Sequence, residues 1–296
     1  MSVDPAPAIS VVIVLYNTAD LIAPCLRSVL DSRGVSLDVF VVDNASSDGG
    51  AAIVRERFPS VRLVENSLNR GFGAANNQVL DRCAGRYIVL LNPDTEVTPG
   101  TFRQMADFMD ASPRVGLAGP TVRNPDGTRQ DSVSLRYPGQ KRSSGEVSGL
   151  PGTIACVLGA CQIVRAALMR ELGGFDEDFF LYGEDQDLCL RIRRKGFEIG
   201  HIDPAVILHH GGKSERGAPP IEVWRKKAQA EYLFYRKQYR PETVRRIARA
   251  NRFREMRKIL LTRLTLPFVR DRARALERME RYRVGYDIAV RQLGGG

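Results

Sequence analysis

Short β-rich apolar runs alternating with helical patterns constrain the fold of this chain more than any other feature. Ile9–Tyr16 (ISVVIVLY) offers no polar face, so it is expected to be a strand buried on both sides. Thr18 to Asp20 supply cap residues, and Leu21, Cys25, Leu26 and Val29 follow at helical spacing. Leu37–Val42 is the next expected strand, and a helix is expected around Ala51–Phe58 after the Ser46–Gly50 turn. Val61–Val64 reads as a short third strand, residues 73–84 as a helix and Tyr87–Leu91 as a fourth, fully apolar strand. This regularity predicts an α/β protein with a mostly parallel sheet flanked by helices on both faces. Ligands of such sheets bind beyond the carboxyl ends of the strands, so polar residues placed there carry the most weight.

Three strand ends carry amides or acids: Tyr16-Asn17, Asp43-Asn44 and Asn92-Pro93-Asp94. One Asp after one strand is commonly a turn former, whereas three polar ends from neighbouring strands converge on one crevice. Pro93 fixes the chain beside Asp94 and removes a backbone donor, which leaves a carboxylate at a defined place. Hard oxygen ligands of this kind suit Mg²⁺ or Mn²⁺ held jointly with substrate phosphates. The adjacent pair His209-His210, after a strand-like run and before two glycines, is a candidate to complete such a site. His201 reads as a surface or packing residue. Gly71-Phe72-Gly73-Ala74-Ala75-Asn76 resembles a dinucleotide fingerprint, but its third glycine position is Asn and it does not follow the first strand. A dehydrogenase reading is therefore weak, although this loop, with Arg70, is suited to present amides to a diphosphate.

A second focus lies at residues 182–188, YGEDQDL, which open an expected helix from about Glu184 to Lys195 stopped by Gly196. Glu184, Asp187, Arg191 and Arg194 are expected to form a charged outer stripe with an Asp187–Arg191 pair. Asp185 shares the apolar stripe of Leu188, Cys189 and Ile192. The helix dipole accounts for an acidic first turn, but not for one acid on the inward face. That placement favours a functional Asp185, kept ionised by the helix N-terminus.

The net charge of +10 is unevenly spread: residues 222–296 hold 21 Lys+Arg against eight Asp+Glu. The expected boundary lies near Gly217–Pro220, giving a catalytic domain over 1–220 and a basic amphipathic helical region over 221–296. Trp224, Ala228, Tyr232, Tyr235 and Tyr239 mark one helix, and Pro241 starts a second carrying Val244, Ile247, Ala248, Met256, Ile259, Leu260 and Leu264. Leu276, Met279, Tyr286, Val290 and Leu293 mark a third. Packing on the catalytic domain accounts for most of the apolar stripe, and an anionic membrane surface is the sharper partner for the arginines. No nucleic-acid recognition motif accompanies the charge, so nucleic acid is not an expected partner. Residues 121–155 read as irregular, a candidate loop over the cleft. No run of about 18 apolar residues and no signal-peptide pattern at Met1–Ala8 is present. Five cysteines without metal-like spacing are expected to be reduced and buried, as in a cytoplasmic protein.

Six segments together resemble the bacterial family 2 glycosyltransferases of GT-A fold, in particular rhamnosyltransferase-like members. They are VVIVLYN (11–17), VVDNASSDG (41–49), NRGFGAANN (69–77), LLNPDTEV (90–97), GGFDEDFFLYGEDQDLCLRIRRKG (173–196) and HHGGKS (209–214). The resemblance implies a GT-A, Rossmann-like domain with a C-terminal basic helical extension. It implies that Tyr16, Asn17 and Asp43 hold the nucleotide, with Arg70, Asn76 and Asn92 lining the same pocket. Asn92-Pro93-Asp94 stands at the family's DxD position with Asn for the first acid, so Asp94 would bind Mg²⁺ or Mn²⁺. Of the two histidines, His209 is taken as the second ligand. Asp185 matches the family's catalytic base. The implied activity is inverting transfer of a hexose, with rhamnose the first candidate, from a dTDP- or UDP-sugar to a glycan or lipid-linked acceptor in cell-surface polysaccharide synthesis. The implied location is the cytoplasm or the inner face of the cytoplasmic membrane, and a second copy of the chain stays among the candidate partners. A sugar nucleotidyltransferase would need a Gly-rich basic loop straight after the first strand, and VVIVLYNTAD has none. A catalytically silent nucleotide-sugar-binding or scaffold protein is the alternative from another class.

Overall fold

The computed structural model describes residues 8–143, 145–211 and 219–294. The N-terminal segment through Pro7, the residues from Gly212 to Ser214 of the HHGGKS motif and Gly217 and Ala218 of the expected boundary lie outside the described residues. The chain divides into two compact units. One comprises Met1–Tyr137, Leu150–Phe180 and Glu184–Arg216; the other comprises Pro138–Gly149, Leu181–Gly183 and Gly217–Gly296.

The first unit runs β1 (Ile9–Leu15), α1 (Ala19–Leu30), β2 (Leu37–Asp43), α2 (Gly50–Arg57), β3 (Arg62–Glu65), α3 (Phe72–Asn77), β4 (Tyr87–Leu91), β5 (Thr95–Val97) and α4 (Thr101–Ala111). It continues with β6 (Val115–Arg123), β7 (Val133–Ser134), β8 (Cys156–Val157), β9 (Cys161–Arg165), α5 (Ala166–Glu171), α6 (Glu184–Arg194) and β10 (Glu198–His209). Eight strands form one sheet in the order β3-β2-β1-β4-β9-β6-β10-β5. The β3-β2-β1-β4 half is parallel throughout, whereas β9 runs antiparallel to both β4 and β6. The sheet is therefore mixed and mostly parallel.

Strand periodicity explains how both faces are covered. Val11, Ile13 and Leu15 pack on one side with Ile22, Leu26, Phe102 and Met105, from α1 and α4. Val12 and Val14 pack on the other with Ala75, Leu168, Leu188 and Ile192, from α3, α5 and α6. Gly116 on β6 lets those helices approach, because a Cβ there would stand 2.7 Å from Ile192 Cγ2 and 2.8 Å from Leu168 Cδ2. All five cysteines are unpaired and buried.

Two expectations need correction. The helix expected over 73–84 ends at Asn77, and Leu80–Arg82 forms a 3-10 turn instead. Asn77 is held from outside the helix: its Nδ2 donates to the Phe175 carbonyl and its Oδ1 accepts the Phe175 amide, each at 2.9 Å. Residues 121–155 are not wholly irregular, since Val133–Ser134 pairs with Cys156–Val157 in a small second sheet.

The second unit contains α7 (Pro220–Gln238), α8 (Pro241–Thr265) and α9 (Arg272–Gly294). Pro220 and Pro241 sit in the first turns of their helices, where a missing N–H is harmless. Gly285 on α9 permits three-way packing: a Cβ there would meet the Trp224 ring at 2.9 Å and Glu255 Cγ at 3.3 Å. The apolar stripe expected along α8 is only half realised. Val244, Ile247 and Ala248 are buried, whereas Met256, Leu260 and Leu264 are exposed.

Candidate functional site

The carboxyl ends of β1 and β2 are tied together by side chains of the turns that follow them. Asn17, with φ of +49°, donates its amide to Ser46 Oγ and accepts the Ser47 amide on its Oδ1 at 2.9 Å. Asp43 Oδ2 accepts the Ser46 amide at 3.2 Å, while its Oδ1 is buried without a partner among the described residues. An unpartnered buried carboxylate oxygen is costly, so it marks a place where a ligand donor is wanted. The cap of α1 also comes from this turn. Thr18 makes no side-chain cap bond; Asp48 Oδ2 accepts the Ala19 amide instead, at 2.7 Å.

Asn44 links β2 to the loop at residues 66–71. Its Nδ2 donates to Asn69 Oδ1 at 2.8 Å and to the Gly71 carbonyl at 3.2 Å, and its Oδ1 accepts the Arg70 amide at 3.0 Å. Gly71 is required there: its φ is +86° and a Cβ would lie 2.6 Å from the Phe180 carbonyl oxygen. The exposed Arg70 side chain is thereby set on a loop anchored at the strand end. Asn76 is not joined to the other named residues by a hydrogen bond. Its Nδ2 donates to Phe72 O within α3, and its Oδ1 is buried and unpartnered among the described residues. Tyr16 is half-buried directly after β1.

The turn that leads from β4 into β5 meets the end of β10 at Asp94 and His209. Asp94 is buried, and its Oδ1 has no hydrogen-bond partner among the described residues. His209 Nε2 stands 3.5 Å from that oxygen, and the His210 amide donates to the Asp94 carbonyl at 2.9 Å. His210 turns its ring elsewhere, to Glu96 Oε1 at 2.9 Å. Of the two histidines, the one facing Asp94 is therefore His209. Gln130 sets the His209 ring, since its Nε2 donates to the His209 carbonyl at 2.8 Å and its Oε1 stands 2.9 Å from Nδ1. Gln130 carries no signal in sequence; it lies in the segment read as irregular. An orphaned carboxylate oxygen beside an imidazole nitrogen fits a Mg²⁺ or Mn²⁺ ion. Among the described residues no group of three His, Cys, Asp or Glu converges, so a metal here would need further ligands from a phosphate or water. Asn92 lies in the same corner, its amide donating to Ala160 O at 2.9 Å and its carbonyl accepting from Thr95 Oγ1 at 2.6 Å.

Asp185 is the second residue of α6, which starts at Glu184 directly after the positive-φ residues Tyr182 (+70°) and Gly183 (+86°). It lies against Gly159, where a Cβ would be 3.5 Å from Asp185 Oδ2. The adjacent Ala160 carbonyl is the one that accepts the Asn92 amide, so the β8–β9 turn touches both parts of the site. Burial pushes the Asp185 carboxyl above its ordinary range, and backbone amides of Gln186, Asp185 and Gly159 offset only part of the rise. The helix N-terminus therefore does not keep Asp185 at low pKa, because desolvation outweighs the amide dipoles. Glu184 is raised to about 8, by burial and then by the Asp185 charge.

The expected charged outer stripe of α6 is also corrected. Glu184 and Asp187 are buried, and of the four only Arg194 is exposed. The Asp187–Arg191 pair does form, at 2.7 Å, but it faces inward, where Arg191 also donates to the carbonyls of Leu172 and Gly174. A charged stripe and a buried ion-pair stripe read alike in sequence.

The family comparison decides what this geometry belongs to: the profile described as Glycosyl transferase family 2 matches residues 10–173, more than half of the chain. The chain belongs to glycosyltransferase family 2. Among curated relatives, this glycosyltransferase is 28% identical over 256 residues to the N-acetylglucosaminyl-diphospho-decaprenol L-rhamnosyltransferase of Mycobacterium tuberculosis, covering 76% of this chain and 82% of that one. It is 35% identical over 151 residues to the succinoglycan biosynthesis protein ExoO of Rhizobium meliloti, covering 51% and 41%. Among solved structures, it matches the mannosyltransferase PcManGT of Pyrobaculum calidifontis, in complex with GDP-Man and Mn²⁺. The TM-score is 0.62 at 20% identity, over 98% of this chain and 88% of that one. GalNAc-T7 with UDP, GalNAc and Mn²⁺ matches with a TM-score of 0.57 at 12% identity, over 81% and 52%. These likenesses show a common GT-A-like fold.

Proposed function

We propose that this glycosyltransferase is a metal-dependent inverting enzyme of glycan synthesis, with residues 1–220 as its catalytic domain. It moves a hexose from a nucleoside-diphosphate sugar to a hydroxyl of a glycan or lipid-linked acceptor. The observation that carries the reading is the orphaned Asp94 Oδ1 facing His209 Nε2 at 3.5 Å, beyond the ends of strands from one sheet. Asp94 and His209 would hold Mg²⁺ or Mn²⁺, which supplies neutralising charge for a departing diphosphate.

The remaining roles fall to the chain itself. Asp43 offers its free Oδ1 to a donor group of the base, with Tyr16 and Asn17 beside it. Arg70, on the loop anchored by Asn44, supplies positive charge to the diphosphate, and Asn76 and Asn92 line the same pocket. Asp185 accepts the proton of the acceptor hydroxyl as its oxygen bonds to the anomeric carbon and the carbon–oxygen bond to the diphosphate breaks. Its raised pKa strengthens it as a base. A single displacement of this kind inverts the anomeric centre.

The relative named for rhamnosyl transfer to a decaprenol-linked acceptor favours dTDP-rhamnose as the first donor to test and a polyprenyl-diphosphate acceptor. A lipid-linked acceptor places the enzyme on the inner face of the cytoplasmic membrane. Among the described residues no helix is long and apolar enough to cross a membrane, so the reading is attachment to the surface.

The test is a thermal-shift panel of dTDP-, UDP- and GDP-sugars with Mg²⁺ or Mn²⁺, on wild type and Asp94→Ala. Stabilisation by one donor that needs the metal and vanishes in the variant is the expected result. Equal stabilisation with EDTA, or in Asp94→Ala, would remove the metal from the reading. Donor binding without any transfer to acceptor would favour a nucleotide-sugar-binding protein.

A further inference from the structure

The second unit presents an apolar surface that its own packing leaves uncovered. Along the C-terminal half of α8, Phe253, Met256, Leu260 and Leu264 fall at spacings of three and four, so they share one helix face. All four are exposed, Leu264 at 71%. Leu261 borders the stripe, and the 3-10 turn Leu266–Phe268 that ends α8 adds Phe268, 86% exposed. The opposite side of α8 is fully used: Glu255 is buried, pairs with Arg254 and Lys258, and faces Gly285 of α9. Water-exposed leucine and phenylalanine in one contiguous stripe mark an interaction surface rather than ordinary surface scatter.

The charges around the stripe identify the partner. Arg252 and Arg263 fall on one line along the helix beside the apolar face, and Arg257 stands within it. These three are exposed and make no ion pair among the described residues. Arg270, Arg272 and Arg274 follow the turn, with Asp271 the one acid among them. A twofold dimer through this face would bring two copies of this positive set into one interface, which is unfavourable. A bare polyanion would leave the leucines and Phe268 in water. A bilayer with anionic headgroups satisfies both sets at once, taking the apolar stripe at the acyl boundary and the arginines at the phosphates.

We infer that the α8 stripe from Phe253 to Leu264, with the Phe268 turn, seats this protein on an anionic lipid surface. The arginines draw the protein to the membrane, and the apolar stripe holds it there. The inference is drawn from the second unit alone and stands whether or not the donor reading holds.

The experiment is co-sedimentation of the full chain with vesicles of phosphatidylcholine alone and of phosphatidylcholine with phosphatidylglycerol. Three proteins are compared: wild type, the triple variant Leu260→Ser, Leu264→Ser, Phe268→Ser, and the double variant Arg252→Glu, Arg263→Glu. The replaced side chains are exposed, so the melting temperatures should stay close to that of wild type. Wild type should partition onto the phosphatidylglycerol vesicles and each variant should lose at least about tenfold in partitioning. Donor-induced thermal shifts should be the same in all three. Wild type left in the supernatant, or a triple variant that sediments like wild type, overturns the inference. So does a concentration-dependent dimer of wild type that the triple variant abolishes, since that would assign the stripe to a second copy.

Discussion

Gln130 grips His209 at two points, donating from Nε2 to the backbone carbonyl and lying 2.9 Å from ring Nδ1 through Oε1. Because that Nε2 is the donor, Oε1 is the acceptor, so Nδ1 of His209 donates to it and, in the neutral ring, the lone pair falls on Nε2. That lone pair is on the nitrogen 3.5 Å from Asp94 Oδ1. Outer-shell hydrogen bonds of this type fix the tautomer and orientation of a ligating histidine. Gln130→Ala is expected to weaken Mn²⁺ binding by about 10- to 100-fold in the presence of UDP. Calorimetric titration of Mn²⁺ checks it, and an unchanged affinity would show that the grip does not matter to the ion.

Asp185→Asn should bind the donor as wild type does while turnover drops by about 10²- to 10⁴-fold. The amide keeps the shape of the carboxylate but cannot take the acceptor proton. Donor affinity by calorimetry and turnover by product formation, measured on the same preparation, separate the two effects. Wild-type turnover would remove Asp185 from the chemistry.

The buried Glu184 predicts a pH dependence of stability. Its ordinary value of 4.5 is raised to about 8 in the folded chain, so the folded state prefers the protonated form. Stability from this group is fully present below about 4.5 and is lost as pH rises through about 8. Glu184→Gln, which cannot ionise, should flatten that decline and be the more stable protein at pH 9 relative to wild type. Denaturant midpoints of both proteins across this range supply the check, and parallel curves would mean that Glu184 does not titrate there.

Much of the site was readable because it sits where strands end. The strands Ile9–Leu15, Leu37–Asp43 and Tyr87–Leu91 fall within or close to the expected runs, and Asn17, Asp43 and Asp94 stand at or just past their ends. Local pattern could not supply contacts made across the chain. Asp48 caps α1 from a turn that follows another strand, Asn77 is arrested by Phe175, and Gln130 reaches His209 from 79 positions away. The α6 stripe departs from its sequence expectation for a related reason. Charge at helical spacing reads as a solvated face, and only tertiary packing shows Asp187 and Arg191 turned inward.

Asp187 is fully buried and Arg191 keeps about a fifth of its side chain in water, so removing the carboxylate strands a guanidinium with little solvent. Asp187→Ala should cost about 3–5 kcal/mol of folding stability, in the range for breaking a buried pair from one side. Arg191 also holds the carbonyls of Leu172 and Gly174, which the variant leaves to a less restrained side chain. The double variant Asp187→Ala, Arg191→Met should recover part of the loss, because no unpaired charge remains. Urea denaturation of the two variants and wild type measures both steps. A double variant less stable than Asp187→Ala would mean that the Arg191 bonds to Leu172 and Gly174 outweigh the stranded charge.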